Sequence, residues 1–308
     1  MKCSNCNHEA IIFQRYSGLH LCKDHFTESV RKRVHSEFQK QVRLRGGEHV
    51  VMAYSGGKDS TLALYFISEI LRPMRNVTLS AVLIDEGISG YRDLGIPMAK
   101  EFCKDIGVEL EIVKMSERLG VTLDEIAEIT RNLSTCAYCG VFRRKLMNNA
   151  ARDMRADYLA TGLNLDDTAQ GIIMNIFRGD VEKLARMGPH ENIQKGLVPR
   201  LQPLRKIPEK ESLLFCLQEG LKFYDGECPY AHEAARNRYR EMIARMEEEF
   251  PGTRYSILSS HDSMKEALRN CFPPAELNQC ACGEPTTNQK CKSCQMIDEI
   301  RILRGRSS

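Results

Sequence analysis

Between Glu48 and Phe177 the apolar positions fall into strand-length runs separated by helix-length stretches. His49–Tyr54 is one run, and an apolar helix predicted over Thr61–Leu71 follows it. Val77–Ile84 is a second run, closed by Asp85-Glu86-Gly87, and Val108–Met115 is a third, after a helix ending near Ile106. Tyr158–Thr161 is a fourth, leading through Gly162-Leu163-Asn164-Leu165-Asp166-Asp167 into a helix to Phe177. Strands alternating with helices at this spacing predict an α/β fold with a doubly wound, mostly parallel sheet. Ligands of such sheets bind beyond the carboxyl ends of strands. Ser55–Ser60, Asp85 and Gly162–Asp167 all lie at such ends, so one crevice can collect them.

Outside this region the pattern changes. Val30, Val34, Phe38 and Val42 recur every four residues between Thr27 and Leu44, giving one helical face, with Arg31, Lys32, Arg33, Lys40 and Arg43 largely on the rest. Two readings stay open: a solvated linker helix, or a basic surface facing RNA. The predicted organisation is an N-terminal zinc finger over 1–26, this basic linker helix over 27–46, the sheet domain over 47–272 and a zinc ribbon over 273–308. No apolar run approaches the roughly 18 residues that a membrane helix needs. The opening residues resemble neither a signal nor a transit peptide, so a cytoplasmic location is expected. Lys and Arg number 44 against 41 Asp and Glu, a balance too even to point to nucleic acid by itself.

Cysteine changes the picture more than charge does. The chain has 13, and in a reducing compartment clustered cysteines bind metal or do redox chemistry. Cys3-x2-Cys6 and Cys22-x2-His25 are two short ligand pairs separated by a hairpin-sized loop, the spacing of a closed tetrahedral zinc site that serves folding. Cys280-x-Cys282 and Cys291-x2-Cys294 predict a second structural zinc site, its first pair unusually tight. Cys103 and Cys216 lie in apolar helical patterns and read as core residues. Cys136-x2-Cys139 has no second close pair. Structural zinc or a redox or persulfide pair, with the distant Cys228 resolving, are both compatible with the residues themselves.

A strand, a glycine loop and a helix present backbone N–H groups and a helix N-terminus to phosphate. Gly56 and Gly57 clear side chains from the backbone, Ser55 and Ser60 add hydroxyls, and Lys58 adds charge. The spacing is not that of the longer nucleotide loop ending in Gly-Lys-Ser/Thr.

Ser55-Gly56-Gly57-Lys58-Asp59-Ser60 resembles the PP-loop of the N-type ATP pyrophosphatases. The chain as a whole is similar to the tRNA 2-thiolation branch of that superfamily. The resemblance rests on the N-terminal finger, the loop, Cys136-Ala137-Tyr138-Cys139-Gly140-Val141-Phe142-Arg143-Arg144, Ala160–Asp167, Glu227-Cys228-Pro229 and Cys282-Gly283-Glu284-Pro285-Thr286. It implies that Ser55, Gly57, Asp59 and Ser60 hold ATP phosphates, that Ile84 lies by the adenine, and that Gly162 and Asp167 close the nucleotide site. Arg143 falls where relatives carry a basic residue near the phosphates, and Asp59 and Asp167 are expected to share Mg2+. It further implies an iron–sulfur cluster, a 4Fe-4S one, on Cys136, Cys139 and Cys228, whose three thiolates leave one iron without a protein ligand. The implied reaction adenylates the C2 oxygen of a tRNA uridine and replaces it with sulfur, on a base that leaves its stack.

The Cys-Gly-Val-Phe-Arg-Arg form resembles the archaeal and eukaryotic cytosolic members acting on the wobble uridine. The same chemistry on the T-loop uridine or on a cytidine is the alternative, although two terminal zinc modules argue against the cytidine branch. A non-catalytic zinc-containing RNA-binding protein is the rival of another class. An intact loop and Asp167 weigh against it. Expected partners are tRNA, a sulfur donor (sulfide or a ubiquitin-like sulfur carrier) and a second copy in a homodimer. Arg143, Arg144, Lys145, Arg178, Lys183, Arg186, Arg200, Arg205 and Lys206 are expected to guide the tRNA. Two positions depart from the family pattern: Leu163 replaces a usual His, and Gln279 stands where the last ribbon's first Cys is expected.

Overall fold

In the computed structural model, residues 1–129, 133–189 and 194–307 are described. A short hairpin, β1 (Ile12–Gln14) and β2 (Leu19–Leu21), opens the chain and leads into helix α1 (Lys23–Gln41). The α/β region follows in the order β3 (His49–Ala53), α2 (Lys58–Leu71), β4 (Thr78–Asp85), α3 (Arg92–Asp105), β5 (Glu109–Lys114), α4 (Met115–Leu119), α5 (Leu123–Ile129), α6 (Thr135–Asp153), β6 (Tyr158–Thr161), α7 (Leu165–Phe177), α8 (Val181–Ala185), β7 (Arg200–Leu201) and α9 (Glu209–Gln218). A 3₁₀ turn over Ala231–Glu233 precedes α10 (Arg236–Glu249) and α11 (Thr253–Cys271), and the chain ends in β8 (Asn278–Gln279), β9 (Pro285–Thr286) and α12 (Lys292–Ser307).

The central sheet has the order β5-β4-β3-β6-β7 with every pairing parallel, as the alternating pattern predicts. The chain runs outward from β3 through β4 to β5, then returns to place β6 on β3's other side. Strand order therefore reverses between β3 and β6, where the connections leave to opposite sides and a crevice opens. Both faces of the sheet are covered. The period of two sends Val50, Met52, Ala81 and Leu83 into one buried cluster with α1, α2 and α9. Val51, Val82 and Ile84 enter the other, with Tyr138, Phe142 and Leu146 of α6 and Met296 and Ile300 of α12.

The helix expected as a linker is part of that core. Phe26, Val30, Val34 and Phe38 of α1 are buried in the first cluster. Its arginines are engaged at home: Arg31 pairs with Glu69 at 2.8 Å and Arg33 with the buried Glu211. The helix also starts inside the cysteine module, since Cys22 is its N-cap and His25 lies in its first turn. No helix among the described residues is long and apolar enough to cross a membrane.

Candidate active site

Gly56 has φ +83, a left-handed value that favours glycine, and Gly57 is the N-cap of α2. The turn is held by hydroxyls. Ser55 Oγ and Ser60 Oγ lie 2.9 Å apart, the Ser55 N–H donates to Ser60 Oγ at 3.2 Å, and Ser60 Oγ donates to the Gly57 carbonyl at 2.9 Å. From β6, Gly162 passes so close that a Cβ on it would stand 2.8 Å from the Ser60 backbone. Only glycine lets the two strand ends meet. Asn164 caps α7, accepting from the Asp167 N–H at 2.9 Å, while its Nδ2 donates to Asp59 Oδ1 at 3.1 Å. Asp59 and Asp167 thus approach each other across the switch point. Partial burial, opposed by Arg236, raises the Asp167 carboxyl above its usual range, and the Asp59 charge adds to the rise. A guanidinium already sits there: Arg236 Nη1 donates to Asp167 Oδ1 at 3.0 Å. Lys58 faces carboxylates, with Nζ 3.0 Å from Asp59 Oδ2 and 2.8 Å from Glu209 Oε1.

On the other side of the loop a small cavity is lined by Ala53, Tyr54, Ser55, Val82, Ile84, Arg92, Arg143 and Met147. It brings Ile84 and Arg143 to the loop beside Ser55. Larger clefts lie elsewhere, along the N-terminal hairpin and beside the C-terminal module. The wall of the small cavity is a buried ion network. Glu86, 1% exposed, pairs with Arg92 and, at 3.1 Å, with Arg143. Burial alone would push its carboxyl up, but Arg143 and Arg92 hold it below the usual range. Arg92 Nη1 also donates to the Ser55 carbonyl at 3.0 Å, so one network touches the loop and, through Arg143, the surroundings of Cys139.

Cys136 and Cys139 fall inside the first turns of α6, which begins at Thr135. Cys228 arrives on a segment that is fastened at several points. The Tyr224 N–H donates to the Gly56 carbonyl at 2.8 Å, Glu233 caps α6 through the Thr135 N–H at 2.6 Å, and Cys136 Sγ donates to the Tyr230 carbonyl at 3.1 Å. The three thiols are half-buried in one neighbourhood but do not form a set of sulfurs within 4.8 Å of one another. Tetrahedral ligands at about 2.3 Å from one zinc ion lie roughly 3.8 Å apart, a tighter set than these three thiols form. Burial pushes all three thiols up, Cys139 to about 11.

Both terminal sets gather as their spacing predicts. Cys3, Cys6, Cys22 and His25 lie within 4.8 Å of one another, and so do Cys280, Cys282, Cys291 and Cys294. Cys280 therefore takes the place in the set expected of a cysteine at Gln279, on a turn closed by the Gly283 N–H to the Cys280 carbonyl at 2.8 Å. Cys103 and Cys216 are core residues, their thiols pushed up to about 12 by burial. Leu163 is exposed at the β6–α7 turn.

The PP-loop domain family matches residues 27–247, and the N-terminal LIM domain of the 2-thiouridine synthetase TtuA matches residues 2–27. The chain belongs to the tRNA 2-thiolation branch of the PP-loop family. It is 35% identical to the tRNA 2-thiolation protein NcsA of Haloferax volcanii, across 98% of this chain and 100% of that one. It is 32% identical to the tRNA-5-methyluridine(54) 2-sulfurtransferase of Pyrococcus horikoshii, across 96% and 93%. Among solved structures it is similar to the U34-tRNA thiolase NcsA from Methanococcus maripaludis with its [4Fe-4S] cluster, with a TM-score of 0.82 at 35% identity over 97% and 96% of the two chains. Membership in this PP-loop branch makes the protein an enzyme of sulfur transfer.

For this PP-loop enzyme the structure sorts the expected basic residues. Arg205 is held by Asp262 at 2.7 Å, Lys206 by Glu37 at 3.2 Å, Arg186 by Glu182 at 3.6 Å, and Lys183 by Asp180. Lys145 is buried against sulfur, and Arg143 is paired with Glu86. Arg144, Arg178 and Arg200 make no ion pair among the described residues. Arg144 is exposed; crowding by the surrounding protein and then the neighbouring Arg200, Arg143 and Arg236 push its guanidinium down. Sequence reasoning missed Glu86, Arg92, Glu209, Tyr224 and Arg236. For Glu86 a signal existed, its place just past the end of β4.

Proposed function

We propose that this protein is an ATP-dependent tRNA-uridine 2-sulfurtransferase acting in the cytoplasm on the wobble uridine. The observation that carries the reading is the meeting of two sites on one network: the Ser55–Ser60 loop and the cysteines Cys136, Cys139 and Cys228 lie on either side of Glu86, Arg92 and Arg143. The names of the relatives support the substrate class and the cytoplasmic setting, and the Methanococcus maripaludis thiolase supports the position.

In this reading the loop N–H groups, Ser55, Ser60 and Lys58 bind the ATP phosphates, and Ile84 packs on the adenine. Gly162 and Asp167 close the pocket. Asp59 and Asp167 fit a divalent cation, since each carboxylate already draws a positive charge, Lys58 at Asp59 and Arg236 at Asp167; they would hold Mg2+, which would supply charge neutralisation for the leaving pyrophosphate. The uridine C2 oxygen attacks the α-phosphorus, a P–O bond forms, and pyrophosphate departs. A sulfur nucleophile then forms the C2–S bond as AMP leaves with the oxygen. Arg143, held in place by Glu86, presents its guanidinium between the two events. The soft donor set Cys136, Cys139 and Cys228 fits an iron–sulfur cluster with three protein ligands, which when bound supplies a metal site for sulfur. The terminal sets fit zinc as closed structural sites. The sulfur donor is sulfide or a ubiquitin-like carrier, and the protein works as a homodimer built from the four regions that the sequence predicts.

A second reading, the T-loop uridine, is favoured by the 32% identity to the Pyrococcus horikoshii enzyme. Mass spectrometry of tRNA nucleosides from a deletion strain separates them. Loss of 2-thiouridine from the anticodon, restored by the wild-type gene and not by Asp59→Ala, is expected. Loss confined to the T-loop overturns the wobble assignment, and unchanged tRNA overturns both readings.

A further inference from the structure

Lys145 follows Cys136, Cys139 and Arg143 on α6 and is almost fully buried, at 8% exposed. Its ammonium donates to two sulfurs of the C-terminal set, Cys282 Sγ at 3.2 Å and Cys294 Sγ at 3.8 Å. A buried ammonium needs an anionic partner, and neutral thiols are poor ones. Four thiolates around one divalent ion carry a net charge of −2, so a cation seated on two of the sulfurs offsets half of it. The same face of α6 continues the contact. Asn148 donates to the Gly196 carbonyl and accepts from the Val198 N–H, each at 3.0 Å, and Arg152 donates to the Gly283 carbonyl at 3.1 Å. Lys145, Asn148 and Arg152 stand at i, i+3 and i+7, one stripe of the helix.

A second contact joins the same two elements. Helix α12 starts immediately after Cys291 and carries Cys294 in its first turn, and its Met296 and Ile300 are buried with Tyr138, Phe142 and Leu146 of α6. Two helices that each begin on a cysteine pair therefore share a core, and Lys145 ties the body of one to the ligands of the other. The arginines just before it turn elsewhere, Arg143 to Glu86.

We infer that Lys145 is the charge-compensating positioning residue of the C-terminal metal set, and that through it metal occupancy there sets the order of α6 and hence the placement of Cys136 and Cys139. The inference rests on the reading of this set as a metal site. It assigns Lys145 away from tRNA, and it gives the C-terminal module a part in shaping the site rather than only in capping the fold.

The full-length chain loaded with Zn2+ supplies its own control, because the N-terminal set is a second site with no lysine on its sulfurs among the described contacts. Metal release to a chromogenic chelator is measured for wild type, Lys145→Met and Lys145→Arg, with hydrogen exchange of residues 135–153 followed in parallel. Loss of an outer contact to a metal ligand costs roughly tenfold to a hundredfold in affinity. One of the two ions is expected to leave faster by about that factor in Lys145→Met, with the other unchanged and Lys145→Arg between. Exchange in α6 is expected to rise in loaded Lys145→Met, and in wild type once the C-terminal ion is removed. Two bound ions with wild-type release from both in Lys145→Met overturn the role of Lys145. A single bound ion in wild type overturns the metal reading of the set and the inference with it. If Lys145→Met does not fold, unchanged α6 exchange in wild type with and without the C-terminal ion overturns the coupling by itself.

Discussion

Three groups of cysteines lie in this chain, and the two at its ends differ from the one in its middle in almost every physical respect. Each terminal set brings four donors within 4.8 Å, and backbone N–H groups bring one thiol of each, Cys3 against its burial and Cys280, down to about 6. The central group has three donors, no such tight set, and thiols that burial pushes up. Closed sets with their own N–H donors are complete without a substrate. Among the described residues no fourth donor closes a tight set around the central group, and Arg143 links it to the ionic wall of the loop cavity; in the proposed reading this suits a site that must leave a position free. Donor count and spacing thus separate architecture from chemistry more sharply than the number of cysteines does.

The contrast breaks most directly at Cys228. Cys228→Ala is expected to abolish thiolation and the brown colour of anaerobically purified protein together, while the melting temperature and nucleotide binding persist. Full-rate thiolation by iron-free wild type would instead place a persulfide on these cysteines. On the nucleotide side, Asp59→Ala and Ser60→Ala should each lower ATP-dependent pyrophosphate release roughly a hundredfold to a thousandfold. Circular dichroism should stay unchanged, and near-normal turnover would show that the loop is not the ATP site. A terminal cysteine should behave in the opposite way from Cys228. Cys22→Ser, which removes a thiol of the N-terminal set and leaves a good N-cap residue on α1, is expected to cost several kcal/mol of stability in a denaturant melt. Unaltered stability would dissolve the distinction. Gly162→Ala is a subtler probe, because its methyl collides with the Ser60 backbone; about 1–3 kcal/mol of destabilisation is expected, together with weaker ATP binding by calorimetry. The smallest effects belong to Arg144→Ala and Arg200→Ala, each flattening the salt dependence of tRNA affinity by roughly 0.7–0.9 in log–log slope. A salt-independent affinity in wild type would sink the electrostatic part of the reading.

Much of the site was legible because its signals are local. The apolar runs of β3, β4, β5 and β6 announce a parallel sheet, and the loop and cysteine pairs are short enough to read along the chain. What stayed hidden depends on pairing across long separations. Arg33 looks like a surface cation until Glu211 is seen opposite it, and Lys145 looks like its arginine neighbours until Cys282 arrives 137 residues later. The linker reading of α1 failed for the same reason: its apolar stripe was clear, but its partner surface on α2 and α9 is not adjacent in sequence. Helices α10 and α11 carry long polar stretches, and their docking on α7, with Arg236 on Asp167, leaves no mark in local periodicity.

The segment from Tyr224 to Glu233 has one more consequence. It is bonded to the Gly56 carbonyl at one end and caps α6 at the other, with Cys228 between. Binding events at the two ends are then entries in a single thermodynamic cycle. In the proposed reading, a shift of this strap on ATP binding changes the affinity of the Cys228 site for its cluster, and the cluster must change the affinity for ATP by the same factor. Titrating nucleotide with and without iron measures that factor, and reciprocity makes either order of addition equally informative.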